Sequence, residues 1–160
     1  MKKLSLIVLA ALPLLLTACL KDDNKCCTVY YDPYFVAERN GTAVIAQPGS
    51  AKVGTDSISV FGVSNQAGVR MRFKFNGKGA YALTGNQSKY YQVIGSDTVS
   101  RYNLGTAPGS SVEVTDYDSI NRIIGGKFTL NMKRTFPVTS STYPDSVKFT
   151  KGKFVIALPR

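Results

Sequence analysis

One seven-residue segment, residues 69–75, constrains the fold of this chain more than any other part of its sequence. It alternates strictly between apolar residues (Val, Met, Phe, Phe) and cationic residues (Arg, Arg, Lys). A period of two over seven residues is typical of a β-strand with one buried side and one solvent-facing side. The next two residues are Asn76-Gly77, a dipeptide that favours a tight turn because both residues accept positive φ. The segment therefore predicts a half-buried strand followed by a turn.

Several other segments show the same alternation, and none shows the spacing of a helix. Apolar residues at i, i+3, i+4 and i+7 do not recur over the length that a helix needs. Short strands separated by Gly, Asn, Pro and Ser predict an all-β domain, a single antiparallel β-sandwich of about 8–10 short strands, with a small closed β-barrel as the alternative. The further candidate strands are residues 35–39, 42–47, 57–63, 80–83, 90–94, 98–103, 112–115, 127–133, 147–149 and 154–158.

Two of these strands begin with the same three residues, Gly126-Lys127-Phe128 and Gly152-Lys153-Phe154. Two matches do not make a repeat architecture, which needs at least three units. We therefore interpret them as similar strand starts.

The beginning of the chain predicts export and a lipid anchor. Two lysines precede the apolar run of residues 4–16, which is too short for a permanent membrane span of about 20 residues. The run ends in Leu-Thr-Ala-Cys19, which resembles the bacterial lipobox, where signal peptidase cuts before a cysteine that carries lipids such as palmitate. An ordinary secretory signal with a chance cysteine is the alternative. The predicted organisation is a signal peptide (1–18), a lipidated tether (19–33) and a β domain (34–160).

The composition excludes several kinds of chemistry. The 160 residues include no histidine, which removes the commonest general base, the Ser-His-Asp and Cys-His sites and the usual catalytic zinc site. With Cys19 acylated, Cys26 and Cys27 remain, and two cysteines cannot form a structural zinc site. Their α-carbons lie about 3.8 Å apart, closer than the usual span of a disulfide, so their redox state stays open. We expect no catalytic residue, no metal site and no cofactor.

The charge pattern offers one candidate binding surface. A formal net charge of +10 permits anionic partners, and an export signal favours acidic glycans or lipid phosphates over nucleic acid. Arg70, Arg72 and Lys74 project from one face of the predicted strand, about 6.6 Å apart, and could contact an anionic ligand. The alternative is a solvated outer face that discourages edge pairing. Four lysines on other strands would extend the row if those strands are neighbours: Lys127, Lys133, Lys148 and Lys153.

Three segments in the second half, residues 112–118, 124–130 and 147–154, resemble a known family. They are similar to small, functionally uncharacterised lipoproteins of Bacteroidota-type bacteria, in which a strand ends in Thr-x-x-Asp and strands with Ile-x-Gly-x-Phe and Thr-x-Gly-x-Phe follow. Asn40-Gly41 resembles the family's early turn, although Ala43-Val44-Ile45 stands where the family usually has a tryptophan. The resemblance covers residues 34–158 and implies an all-β domain of unknown function with no catalytic residues to transfer.

The resemblance also gives a meaning to the charges after Cys19. Lys21, Asp22 and Asp23 are similar to the export signal with which such bacteria place lipoproteins on the outer face of the outer membrane. A solvated charge run in a flexible tether is the alternative.

Four Asp-Ser/Thr-aliphatic triplets resemble the acceptor motif for O-glycosylation of exported proteins in these bacteria. Turn chemistry is the alternative, because Asp-Ser pairs favour turns and the aliphatic residue then begins a strand. The predicted acceptors are Ser57, Thr98, Ser119 and Ser146.

Together these patterns favour a lipid-anchored outer-membrane protein that faces the cell exterior. Its expected role is a non-enzymatic binding module for a glycan or a partner envelope protein. The alternatives are a structural or accessory envelope subunit without a ligand and, third, a carboxylate-dependent hydrolase. A concave aromatic-lined patch beside a basic row would favour the binding module. A large exposed apolar patch would favour the structural role. Two carboxylates that converge in a pocket would favour the hydrolase.

Overall fold

The computed structural model describes residues 31–106 and 108–159. This part of the chain contains ten β-strands and one short 3-10 turn, and all its strand pairings are antiparallel. The predicted all-β antiparallel fold is therefore confirmed. The strands are β1 (Tyr34–Arg39), β2 (Thr42–Val53), β3 (Ser57–Val63), β4 (Ala67–Lys74), β5 (Gly79–Ala82), β6 (Ser88–Ile94), β7 (Asp97–Leu104), β8 (Ser111–Asp118), β9 (Ile123–Phe136) and β10 (Ser146–Ala157).

The hydrogen-bonded ladder closes on itself. The strand order is β10-β1-β2-β3-β4-β6-β7-β9, and β10 also pairs with β9 along its whole length. Eight strands thus form a ring, the closed form given above as the alternative to a sandwich. The long β9 pairs with β7 through its C-terminal half and with β8 through its N-terminal half, and β5 lies beyond β8.

Where β4 runs past the end of β6, aromatic contacts take the place of strand pairing. The rings of Phe73 and Tyr81 lie 4.8 Å apart, and those of Phe75 and Tyr117 lie 5.2 Å apart. These contacts join β4 to β5 and β8.

The alternation predicted for β4 is observed. Val69, Met71 and Phe73 are buried inside the ring, whereas the three cationic residues between and after them are exposed. The same alternation on the other strands completes one continuous core. Its largest fully buried side chains are Tyr102, Phe35, Phe73, Phe149, Phe154, Met71, Ile124, Leu130, Met132 and Ile156.

The two Gly-Lys-Phe segments are cross-strand partners of each other. On β9 and β10, Gly126 lies opposite Phe154 and Gly152 lies opposite Phe128. A Cβ atom at Gly152 would lie 2.6 Å from the Phe128 ring, and one at Gly126 would lie 2.8 Å from the Phe154 ring. Each glycine therefore leaves the space that the opposite ring fills, an arrangement that fixes the register of this strand pair.

Within the described ranges, no helix has the length and apolar character that crossing a membrane requires. The predicted signal peptide, and the tether up to residue 30, lie outside the residues that the structure describes.

Candidate functional site

A basic surface covers the outer side of four adjacent strands, β4, β6, β7 and β9. Arg70 lies opposite Lys89, Lys89 lies opposite Asn103, and Asn103 lies opposite Lys133. Because neighbouring strands lie about 4.8 Å apart, this row spans about 14 Å. Two further arginines occupy the rows on either side of it. We call this surface the basic belt; its cations are Arg70, Arg72, Lys89, Arg101 and Lys133.

The cations of the basic belt have no acidic partner in the described part of the chain. The ion pairs found there are Lys74–Asp56, Arg134–Asp145 and Lys151–Glu38, all of them outside the belt. Four of the five belt side chains are exposed and Lys89 is half-buried. The belt therefore presents an uncompensated positive surface that attracts anions.

The structure separates the predicted contacts into two groups. Arg70 and Arg72 belong to the basic belt, and Lys133, one of the four further lysines, lies at its far side on β9. Lys74 instead forms an ion pair, with its Nζ 2.7 Å from Asp56 Oδ2. The hydrogen bond from Lys74 lowers the pKa of Asp56, and the same contact raises the pKa of Lys74. The other predicted lysines lie on β9 and β10 outside the belt: Lys127, Lys148 and Lys153.

Two half-buried aromatic side chains lie on the same outer face. Tyr91 lies opposite both Gly68 and Arg101, and a Cβ at Gly68 would lie 2.3 Å from its hydroxyl oxygen. Phe61 lies opposite Arg70, and its ring covers Gly49 in the same way. Rings that lie flat over glycines next to cations offer apolar faces to a sugar ring.

A cleft of about 330 Å³ opens next to the C-terminal end of β4. Phe75 and Tyr117, whose rings meet edge to face, form one wall, and Lys52 and Arg122 supply positive charge. The carboxylate of Asp56 links this cleft to Lys74. The cleft thus brings two aromatic rings and two cations together at the end of β4, next to the Lys74–Asp56 ion pair.

Comparison with known protein families identifies the family of this domain. Residues 31–157 match the family described as a domain of unknown function, DUF6252. The chain belongs to the DUF6252 family. No curated protein and no solved structure matches it.

In residues 31–106 and 108–159 of the DUF6252 protein, no three His, Cys, Asp or Glu side chains come together in a group that could hold a metal ion. Cys19, Lys21, Asp22, Asp23, Cys26 and Cys27 lie outside the described residues.

The four predicted O-glycosylation acceptors all lie near the ends of strands. Ser57 and Ser146 begin β3 and β10, Thr98 is the second residue of β7, and Ser119 follows β8. Their aliphatic neighbours differ in burial: Ile58 and Val147 belong to the core, whereas Ile120 is 90% exposed. The Ser119 triplet therefore presents both its hydroxyl residue and its aliphatic residue on the surface.

The carboxylate of Asp118 also forms the turn that the alternative interpretation of this triplet requires. Its Oδ1 accepts hydrogen bonds of 2.9 Å from the backbone N–H groups of Asn121 and Ile120. The bonds from Asn121 contribute most to lowering the pKa of Asp118. Turn formation therefore accounts for Asp118 whether or not Ser119 is modified.

Two belt residues, Lys89 and Arg101, were not among the contact residues predicted from the sequence. They lie on β6 and β7, where tyrosines and polar residues blur the alternation. Their position beside Arg70 depends on strand pairing, and the pairing of β4 with β6 skips β5. The sequence shows an excess of cations on the candidate strands, but it does not show the order of those strands in the sheet.

Proposed function

We propose that this DUF6252 protein is a lipid-anchored binding module of the outer membrane that holds an anionic glycan on its basic belt. The observation that carries the proposal is the set of five belt cations on four adjacent strands, none with an acidic partner among the described residues. Carboxylate, sulfate or phosphate groups of a glycan would pair with these cations. Tyr91 and Phe61 would contact its sugar rings.

The cleft at the end of β4 supports the same proposal. Its aromatic wall of Phe75 and Tyr117 offers a place for a further sugar unit, while Lys52 and Arg122 favour an acidic one. A chain of sugar units bound along β4 would thus contact the cations of the strand, and its last unit would contact the rings of Phe75 and Tyr117 at the C-terminal end of β4. This arrangement recognises a polymer by several weak contacts, and we assign it no bond-breaking step.

The proposed location rests on the beginning of the sequence. Leu-Thr-Ala-Cys19 supports lipidation in a Bacteroidota-type bacterium, and Lys21, Asp22 and Asp23 support transfer to the cell surface. A surface location would bring the basic belt into contact with glycans outside the cell.

Replacement of two belt cations should weaken glycan binding. We expect the double variant R70Q/K89Q to bind polygalacturonate, a polymer of uronate groups, about tenfold more weakly than the unchanged protein, because each exposed ion pair contributes modestly. Its remaining affinity should depend less on salt concentration. The measurement is a binding titration of the full chain in detergent at two salt concentrations.

A matched control has the same change in charge outside the belt. In K78Q/K127Q, two exposed lysines of the β4–β5 turn and of β9 are replaced, and we expect nearly unchanged affinity. Equal losses in both double variants would show that net charge, and not the belt, attracts the polymer. Unchanged binding by R70Q/K89Q would contradict the proposal directly.

Separate variants test the anchor and the address. Cys19→Ser should abolish labelling by radioactive palmitate and release the protein from the membrane fraction. The triple variant K21A/D22A/D23A should keep its lipid but lose accessibility to protease added to whole cells. Palmitate labelling of the Cys19→Ser variant would refute lipidation at Cys19. A triple variant that protease still reaches on whole cells would refute the export role of residues 21–23.

A further inference from the structure

The opposite end of the ring contains an arginine on its inner side. Along β1, Phe35 and Ala37 are buried in the core, and Arg39 lies on the same side of the strand because side chains alternate. It closes the end of the aromatic cluster formed by Tyr90, Tyr102 and Phe149. A half-buried cation at the end of an apolar core is costly unless it finds partners.

The partner of Arg39 in the described structure is neutral. Its guanidinium donates a hydrogen bond to the Tyr90 hydroxyl and lies 5.7 Å from the centre of that ring. Burial raises the pKa of Tyr90, so the hydroxyl stays protonated at physiological pH. A guanidinium has five N–H donors, and the bond to Tyr90 uses one of them. Neither the ion pairs nor the hydrogen bonds of the described residues give Arg39 a carboxylate.

A cavity of about 160 Å³ lies next to this guanidinium. Thr42 and Gln92 contribute polar groups to its wall, and Pro144 and Val147 contribute apolar ones. The Gln92 Oε1 atom accepts a hydrogen bond from Ser100, which directs the amide N–H groups of Gln92 to other acceptors. The cavity therefore combines one cation and further donors with apolar sides, the usual composition of a small-molecule site.

We infer that this cavity binds a carboxylate, which Arg39 holds through two parallel N–H···O bonds. The planar guanidinium matches the two oxygens of a carboxylate, and Tyr90 beneath it fixes the orientation of the fork. The volume equals that of about five water molecules, which suits a small hydroxy acid or the acidic end of a glycan. A hydroxyl group of either ligand would reach Thr42 or Gln92.

The test uses the full chain in detergent and three probes: lactate, its neutral methyl ester and glucuronate. Ligand-observed NMR titration should give a dissociation constant on the order of 1 mM for at least one of the two acids. The methyl ester should bind at least tenfold more weakly than lactate, because it cannot form the charge-assisted pair. This comparison needs no variant and so does not depend on how a variant folds.

Variants then assign the interaction to Arg39. R39Q should weaken binding of the acid at least tenfold. The affinity of R39K should lie between those of R39Q and the unchanged protein, because an ammonium group is charged but lacks the two parallel N–H donors of a guanidinium. The control K127Q removes an exposed cation of β9 that lies outside both the cavity and the basic belt, so it should bind normally, and thermal unfolding checks that each variant is folded. Binding of glucuronate but not lactate would identify a sugar acid, and the converse would identify a small free acid.

Three results would overturn this inference: no binding of either acid, measurable binding of lactate that its methyl ester equals, or equal losses of affinity in R39Q and K127Q. The inference is separate from the proposed function, because R70Q/K89Q should retain the bound acid and R39Q should retain polygalacturonate.

Discussion

Gly126→Ala is expected to lower the free energy of unfolding by about 3 kcal/mol, because the new methyl group has no space on either side. Its Cβ would lie 2.3 Å from the backbone oxygen of Glu113 and 2.8 Å from the Phe154 ring. A backbone carbonyl in a sheet cannot move without disturbing the pairing of β8 with β9. The measurement is chemical denaturation followed by circular dichroism.

The adjacent glycine provides the control for this prediction. Gly125 is also buried on β9, but a Cβ there would lie 3.4 Å from the nearest atoms of Asp116, an ordinary contact. Gly125→Ala should therefore cost far less than Gly126→Ala. Similar losses in both variants would show that backbone freedom, and not the space under Phe154, is what the strand requires at these positions.

A double-mutant cycle at the reciprocal pair tests the same packing from the other strand. Gly152→Ala places a methyl group 2.6 Å from the buried Phe128 ring, and Phe128→Ala removes that ring. Each single change is destabilising, but the double variant should be more stable than the sum of the two losses predicts, since the methyl group then occupies vacated space. Simple additivity would mean that the glycine and the ring do not compete for one volume.

These glycines illustrate how far the sequence could predict the fold. The all-β class and the buried side of β4 follow from local alternation, which depends only on the period of the strand. The repeated Gly-Lys-Phe segments were visible, but their opposition across β9 and β10 depends on a register between residues far apart in the chain. Register is set by turns and by matching whole faces, and a single strand does not contain that information.

The strand bounds show the same limit. The predicted strand at 42–47 continues to Val53 through Pro48, and two predicted strands near the C-terminus are one strand, β10, with a bulge beside Lys151. Pro48 lies where β2 has left β1 and pairs with β3 alone, and a strand with one free side tolerates a proline, whereas β10 passes Gly152 between its two neighbours β1 and β9. The same limit applies to the basic belt. Arg70 and Arg72 could be predicted from the alternation within one strand, whereas predicting Lys89 and Arg101 would have required the strand order.

Arg134 supports the second large prediction, that Arg134→Ala lowers the free energy of unfolding by about 3 kcal/mol. Its side chain is 5% exposed, which is unusual for arginine, and it donates to the carbonyl oxygens of Ser140 and Tyr143 and to the Asp145 carboxylate. These bonds hold the segment between β9 and β10 against the ring. The Tyr102 hydroxyl donates to the carbonyl of Pro144 in the same segment.

The ion pair itself should contribute little to this effect. Asp145 is 93% exposed, so its attraction to Arg134 is screened by water, and Asp145→Ala should leave the unfolding midpoint nearly unchanged. Arg134→Met keeps much of the apolar stem and should lose most of the stability that Arg134→Ala loses, because the carbonyl bonds are absent in both. Equal effects of the Asp145 and Arg134 variants would instead assign the stability to the salt bridge. Because Pro144 lines the cavity beside Arg39, Arg134→Met should also weaken binding of the acid there, a change that R70Q/K89Q does not produce.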